Sequence, residues 1–292
     1  MFSRFMHRKA VAPCILAVGL LLVAGCGDEG GGDETRSLSI EATEPAKDSY
    51  RIEAPESIEA GLVDIEFTNS GKLEREAQFI KIEGNHTTEE ALAAFDKVLR
   101  GGAAPPWFRA RGGVGTTAPG GTATITQRLQ PGSYIIIDSG EPEGRDVQPH
   151  YRQGAVAELA VTGDPSDADL PTPDATITAA EYEFNPAGLK AGKNRIEFRN
   201  AGAQWHHLVV ARMNPDATIG DVKRFFETEE GRPPLEEENL EETAVIDGGE
   251  AQLTEVDLTP GNYALVCFIP DRAGGPPHAA KGMITEAIVP EE

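Results

Sequence analysis

The chain repeats itself at an interval of about 130 residues, and this constrains its fold more than any other feature. The segment IEFTNSG at 65–71 matches IEFRNAG at 196–202, and PGSY at 131–134 matches PGNY at 260–263. The matches keep the same order along the chain. We therefore predict two copies of one domain.

The repeat also predicts where the domains begin and end. The copies span 38–162 and 176–292, and the Pro- and Asp-rich stretch 163–175 between them is a linker. At roughly 120 residues, each copy has the size of an ordinary domain.

The sequence pattern within each copy is mostly that of β-strands. Residues 195–199 alternate between apolar and polar side chains, and further strands are predicted at 206–213, 251–258, 263–269 and 283–289. Turn residues such as Pro-Gly separate these segments. We therefore predict an all-β fold of two tandem β-sandwiches.

Each copy also contains one short helical insert. Thr87 and Glu90 form a capping box at the start of the first helix, and Thr218 and Asp221 cap a shorter helix in the second copy.

The N-terminus is predicted to be an export signal. Basic residues precede an apolar run at 10–24 that is too short to span a bilayer permanently. Residues 1–26 end in Val-Ala-Gly-Cys, which resembles a bacterial lipobox, in which Cys26 becomes the lipidated first residue. A Gly- and acid-rich tether at 27–37 follows. The alternative is a signal peptide that is cleaved without lipidation. We predict a lipid anchor at the outer face of the bacterial cytoplasmic membrane or cell envelope.

The charge of the chain limits its partners. The formal net charge is −22, which argues against nucleic acid as a partner because such binding needs basic surface. The acidic run at 227–242 is interpreted as a solvated face.

The cysteine count points to a role for one thiol. Of three cysteines, Cys14 leaves with the leader and Cys26 is acylated, so that Cys267 has no partner for an intramolecular disulfide. Metal ligation explains a single thiol outside the cell, and burial as a small apolar residue is the alternative.

Residues suited to a soft metal follow in the C-terminal part of the chain. Cys267, His278 and Met283 lie within one predicted hairpin, and His206 and His207 open an upstream strand. One thiolate, two imidazoles and a weak thioether form the donor set of a blue copper site.

Strand alternation separates the two adjacent histidines. His206 shares a face with Leu208, whereas His207 shares the opposite face with Val209. The larger leucine favours His206 as the inward-pointing residue, and His207 stays as the alternative.

The second copy resembles the cupredoxin family over its whole length, in strand order and in the segment 267–283. The resemblance implies a Greek-key β-sandwich that holds one copper at one end. The ligands that it implies are His206 or His207, Cys267, His278 and Met283. It also implies that Asn200 hydrogen-bonds the ligand loop, and a plain turn residue is the equal alternative.

The sequence departs from the family in the length of this loop. Ten residues separate Cys267 from His278, where typical members have only a few. Added loop length costs little closure entropy, so we predict an outward excursion that returns His278 to the site. A distorted or empty site is the alternative.

The first copy lacks the ligand set. Asp138, Ala155 and Arg75 stand where the second copy has its cysteine, its methionine and its histidine pair. A hard carboxylate replaces the soft thiolate poorly, so we predict no blue copper site there. We interpret His86 and His150 as surface residues.

These observations together predict a copper-binding protein that transfers single electrons, with a redox or copper-exchange protein as partner. No Gly-rich phosphate loop, nucleophile elbow or His-Glu-x-x-His motif is present, so we predict that the chain is not an enzyme. Two alternatives stay open: a metal-free scaffold or binding protein, and an enzyme in which Cys267 is the nucleophile with His278 or His206 as base. We also predict that the second copy binds copper without help from the first.

Overall fold

The computed structural model describes residues 35–142 and 148–291, which we divide into a first half up to Thr162 and a second half from Ala175. The predicted signal peptide, the lipobox with Cys26 and most of the tether lie outside the described residues. Within these residues, no helix is long and apolar enough to cross a membrane.

The first half consists of β1 Arg36–Ala46, β2 Ser49–Glu53, β3 Ser57–Glu59, β4 Gly61–Asn69, β5 Arg75–Ile82, α1 Thr88–Leu99, β6 Phe108–Thr117, β7 Thr122–Leu129, β8 Gly132–Ile137, a 3₁₀ turn His150–Gln153 and β9 Val156–Thr162. The second half consists of β10 Ala175–Ala180, β11 Glu183–Ala187, β12 Gly192–Asn200, β13 Val209–Met213, α2 Ile219–Thr228, β14 Leu235–Glu242, β15 Ala251–Leu258, β16 Gly261–Val266, a 3₁₀ turn His278–Lys281 and β17 Ile284–Val289. The predicted all-β sandwich fold is confirmed.

One large sheet runs through both halves. It has eight strands in the order β11-β10-β12-β15-β7-β4-β1-β2, and the halves join where β15 pairs antiparallel with β7. At this joint, Gln252 lies opposite Gln127 and Leu253 opposite Thr126. The halves therefore share backbone hydrogen bonds.

Each half packs its own second sheet on this large sheet. The second sheet has the order β3-β9-β8-β5-β6 in the first half and β14-β13-β16-β17 in the second. Alternating apolar residues of the paired sheets form two buried cores, one of which contains Phe67 and Phe79, and the other Phe198, Cys267 and Met283.

A helix covers the outer face of each second sheet. Helix α1 packs its Leu92 and Val98 against β5, β6 and β8, and α2 packs Val222 against β13 and β16. Both predicted capping boxes are present: the Thr87 and Thr218 side chains accept hydrogen bonds from the backbone N–H groups of Glu90 and Asp221.

Two local predictions differ from the structure. The strand predicted at 206–213 begins only at Val209, because Leu208 N donates to the Thr243 side chain and His206 pairs with Ile246 in an isolated bridge. The acidic run interpreted as a solvated face contains strand β14, which pairs with β13, and its last residue, Glu242, points into the protein.

Candidate metal centre

Three predicted ligands converge in the core of the second half. The potential ligand atoms of His206, Cys267 and His278 all lie within 4.8 Å of one another. Nδ1 of His278 is 3.4 Å from the Cys267 Sγ atom and 3.1 Å from Nδ1 of His206, and the Sγ atom is 3.9 Å from Nδ1 of His206. All three side chains are 0 % exposed.

Backbone hydrogen bonds hold Cys267 and His278 in place. Cys267 directly follows β16, and the 3₁₀ turn that begins at His278 returns the chain to it: Ala279 N donates to Cys267 O at 2.7 Å. His278 N donates to Ile269 O at 2.9 Å. The two ligands are therefore fixed to the same sheet end although ten residues separate them.

His206 comes from a loop on the opposite side of the site. Its N–H and C=O groups pair with the C=O and N–H groups of Ile246 at 3.0 and 2.9 Å. The Asn200 side chain donates to Gln204 O at 2.7 Å and to Ile246 O at 3.1 Å. Asn200 thus supports the loop that presents His206. These two hydrogen bonds do not join it directly to the segment 267–283, contrary to what the resemblance implied.

His207, the alternative ligand, points away from the cluster. Its Nε2 atom accepts a hydrogen bond from Phe268 N at 2.8 Å, and its Nδ1 atom lies 3.1 Å from the Glu242 carboxylate. Thr116 of the first half donates to the same carboxylate at 2.8 Å. His207 therefore links the residue after Cys267 to the boundary between the halves.

Met283 lies in the same buried core cluster as Cys267 and is 0 % exposed. Met283 N donates to His278 O at 2.9 Å, and Cys267 N donates to Met283 O at 3.4 Å. Backbone hydrogen bonds thus link the positions of Cys267, His278 and Met283 to one another.

The outer nitrogen of His278 is capped by the inserted loop. Nε2 of His278 lies 3.0 Å from the Asp271 carboxylate, which also accepts hydrogen bonds from the Tyr182 hydroxyl at 2.9 Å and from Lys281. Although burial acts in the opposite direction, the bonds from Lys281, Tyr182 and His278 lower the pKa of the Asp271 carboxyl. An ionised Asp271 accepts a hydrogen bond from the Nε2–H group of His278, and this tautomer leaves the Nδ1 lone pair facing the cluster.

In the metal-free cluster, burial favours neutral imidazoles and a protonated thiol. Burial, together with the nearby His278, lowers the pKa of His206 to about 4, and burial raises the pKa of Cys267 to about 12. Nε2 of His206 is buried without a hydrogen-bond partner among the described residues. Two neutral imidazoles and one soft sulfur that face each other form the donor set that copper prefers. The copper prediction for the second half is confirmed at the level of this donor set.

The same values argue against a cysteine nucleophile. Cys267 is completely buried and its pKa of about 12 keeps the metal-free thiol protonated.

The first half builds the same frame around different side chains. Its backbone bonds run from Tyr151 N to Asp138 O, from Asp138 N to Ala155 O and from Ala155 N to His150 O, in the pattern that Ala279, Cys267, Met283 and His278 follow in the second half. The Arg75 Nε atom donates to Asp138, and Nδ1 of His150 lies 3.0 Å from the same carboxylate. An arginine and a carboxylate occupy this interior.

This arrangement corrects the prediction that His150 is a surface residue. His150 is 1 % exposed and its ring lies 4.1 Å from the ring of Tyr50. Burial follows from the 3₁₀ turn, which places His150 where the second half places His278. His86, by contrast, is part-exposed and stacks on Trp107, away from this cluster.

Comparison with known proteins reveals only distant similarity. No protein-family model and no curated protein matches the chain. Auracyanin from Roseiflexus castenholzii is a solved structure 18% identical to it, with a TM-score of 0.29, and the match covers 44% of this chain and 99% of that one. The copper nitrite reductase of Nitrosomonas europaea is 16% identical with a TM-score of 0.26, and the match covers 89% and 95%. A multicopper oxidase is 16% identical with a TM-score of 0.25, and the match covers 80% and 83%.

These comparisons contradict our prediction that the chain is not an enzyme. The titles of the matching structures name oxidases, nitrite reductases and laccases, which are copper enzymes. The catalytic motifs that the sequence lacks are those of other classes of enzyme.

Proposed function

We propose that the second half would hold one copper ion through His206, Cys267 and His278, with Met283 as a weak fourth donor, and that the protein transfers single electrons. The convergence of these three buried donors is the observation that carries the proposal. A copper ion held by such a set supplies one-electron chemistry by alternating between Cu(I) and Cu(II).

The residues around the donors support this role. A buried, pre-formed donor set moves little when the charge of its metal changes, which suits electron transfer. The hydrogen bond from Phe268 N ends on His207, so the residue next to the cysteine is also held in place. Asp271 orients His278 from behind.

We further propose that the two halves are copies of one domain, and that acylated Cys26 anchors the protein outside the bacterial cytoplasm, where a redox or copper-exchange protein is its partner. The recurring backbone frame supports the first part, and the lipobox-like sequence supports the second.

Titration of the chain from Gly27 onward with Cu(II) tests the metal site. We expect one equivalent of retained copper and an intense visible thiolate-to-copper charge-transfer band. Cys267→Ser must abolish this band. A colourless wild-type protein that retains no copper after desalting contradicts the electron-transfer proposal.

Mass spectrometry of the mature N-terminus of the exported protein tests the anchor. We expect a lipid on Cys26, and we expect that Cys26→Ser moves the protein from the membrane fraction to the soluble fraction. An unmodified terminus would establish a freely secreted protein instead.

A further inference from the structure

The inserted part of the ligand loop leaves the second half and lies on the first. Pro270 and Pro277 pair in an isolated bridge that closes the base of the excursion. Beyond this base, Arg272 O accepts a hydrogen bond from Ala104 N of the first half at 2.8 Å. Gly274 approaches the first half so closely that a Cβ atom there would be 2.3 Å from Gly101 O.

The Arg272 side chain makes this contact specific. Its guanidinium donates to Pro105 O at 3.1 Å and to Phe108 O at 2.8 Å, both in the first half. It also donates to the Asp247 carboxylate at 2.7 Å. The planar fork of arginine meets acceptors in several directions at once, which a lysine ammonium does not reproduce.

Asp247 connects this contact to strand β6 of the first half. Its side chain is 2 % exposed and accepts a hydrogen bond from Ala110 N at 3.1 Å. Arg109 lies 3.3 Å from the same carboxylate. Arg272 therefore joins a part-buried cluster, with Arg109 and Asp247, that spans both halves.

The cluster also reaches the segment that carries His206. The Arg272 guanidinium lies 5.0 Å from the centre of the Trp205 ring, and Trp205 donates its indole N–H to Pro270 O. Arg272 N donates to the Gln204 side chain at 2.9 Å. The segment 204–206 and the segment 270–278 are thus fastened to each other at Arg272.

We propose that the first half holds the ligand loop of the second, and that Arg272 is the positioning residue through which it does so. A ten-residue excursion that is free at its tip has many conformations, and ordering it would reduce the affinity for a metal. Contacts with the first half remove these conformations before any metal binds. The proposal rests on the proposed copper site and replaces our expectation that the second copy binds copper without help.

Substitution of Arg272 in the full chain tests this proposal. In the metal-free protein, Arg272→Ala is expected to speed amide hydrogen exchange at 271–275 by at least about tenfold. In the copper-loaded protein, it is expected to lower copper affinity about 10- to 100-fold, as loss of an outer support does in other metal sites, and to shift the charge-transfer band. Arg272→Lys is expected to give intermediate values. Arg152→Ala is the matched control, because Arg152 is also part-buried and paired with a carboxylate, that of Asp96, within the first half.

Two adjacent glycines provide a second test that keeps Arg272. Gly274 and Gly275 both have positive φ, of 84° and 113°, so an alanine strains the backbone at either position. Only at Gly274 does the new Cβ meet the first half, since nothing lies within 4 Å of it at Gly275. Gly274→Ala is expected to reproduce the effects of Arg272→Ala, and Gly275→Ala is expected to show much smaller ones.

The outcomes separate the two proposals. If wild-type protein binds no copper, the proposed function fails, and the exchange rates in the metal-free chain still decide whether the first half holds the loop. If Arg272→Ala and Gly274→Ala leave exchange at 271–275, copper affinity and the band unchanged, the holding role is overturned.

Discussion

The two halves place different charges inside the same backbone frame. In the first half, the Arg75 guanidinium meets the Asp138 carboxylate, so the interior contains its own cation and anion. In the second half, His206, Cys267 and His278 face each other with no cationic side chain among them. The interior of the first half contains an ion pair made by its own side chains. The interior of the second half contains donor atoms that could hold a metal cation.

The difference teaches what a fold of this kind needs at this position. A buried carboxylate requires a partner because burial of an unpaired charge is costly. Arg75 meets this need from the position that corresponds to the histidine pair, and it also donates to Thr43 O at 3.2 Å. The first half has the same backbone frame without the metal donors, and its Ala104, Pro105 and Phe108 contact the ligand loop of the second half.

Removal of the Arg75 guanidinium, the internal cation of the first half, should have the largest effect on stability. Arg75→Met leaves Asp138 buried without its partner, and we expect a loss of about 3–5 kcal/mol in the free energy of unfolding, measured by urea denaturation of the metal-free protein. Cys267→Ser at the corresponding position should cost less. In the double variant with Asp138→Asn, much of the loss should be recovered. An unchanged midpoint for Arg75→Met would show that the ion pair does not stabilise the first half.

Removal of the charge behind His278 should have an intermediate effect. Asp271→Asn preserves the size of the side chain but loses the anion that orients Nε2, so copper affinity should fall about 10- to 100-fold and the reduction potential should rise. Competition and redox titrations measure these two quantities. Asp257→Asn on the exposed side of β15 is the control. Equal shifts in both variants would mean that net charge alone, rather than the contact with His278, is responsible.

The smallest expected effect is the pH dependence of the free energy of unfolding that comes from Glu76. This residue is next to Arg75, at the boundary between the halves. Burial, with the nearby Asp138 and Glu242 carboxylates, raises the pKa of Glu76 to about 8. Since the unfolded chain releases this proton near the ordinary value, the folded state binds more protons between about pH 4.5 and 8, and the free energy of unfolding falls as pH rises through this window.

Glu76→Gln tests this sign, since its amide oxygen still accepts the hydrogen bond from Ser139 N. We expect that the loss of about 1 kcal/mol between pH 6 and 7 disappears from the metal-free variant. Urea denaturation at several pH values measures it. A wild-type stability that rises over this window, with the same slope in the variant, would contradict the assignment.

The sequence predicted the elements and the donors, but not how the halves cooperate. The capping residues Thr87 and Thr218 act locally, so their patterns were sufficient. Cys267, His278 and His206 were identified because their chemical types are unusual together. The contacts of Arg272 join residues that are more than 160 positions apart, and no local pattern encodes such a distance.

The misplacement of His150 has a more instructive cause. Arg75 and Asp138 each replace a ligand of the second half, but they also form a pair with each other. Two opposite charges at positions that one fold brings together predict a buried ion pair, and a buried pair implies that the histidine beside it is buried too. This signal was present in the aligned repeat.

The joint between β7 and β15 has a consequence for solubility. A strand that ends a sheet exposes a row of unpaired amide and carbonyl groups, to which another chain can add a strand. In the intact protein, β7 and β15 pair with each other, so that each strand covers the edge of the other. Proteolysis between the halves, followed by their separation, would uncover two such edges at once. We therefore expect the released fragments to associate with each other or to aggregate, so that the linkage of the halves also serves as a safeguard against misassembly.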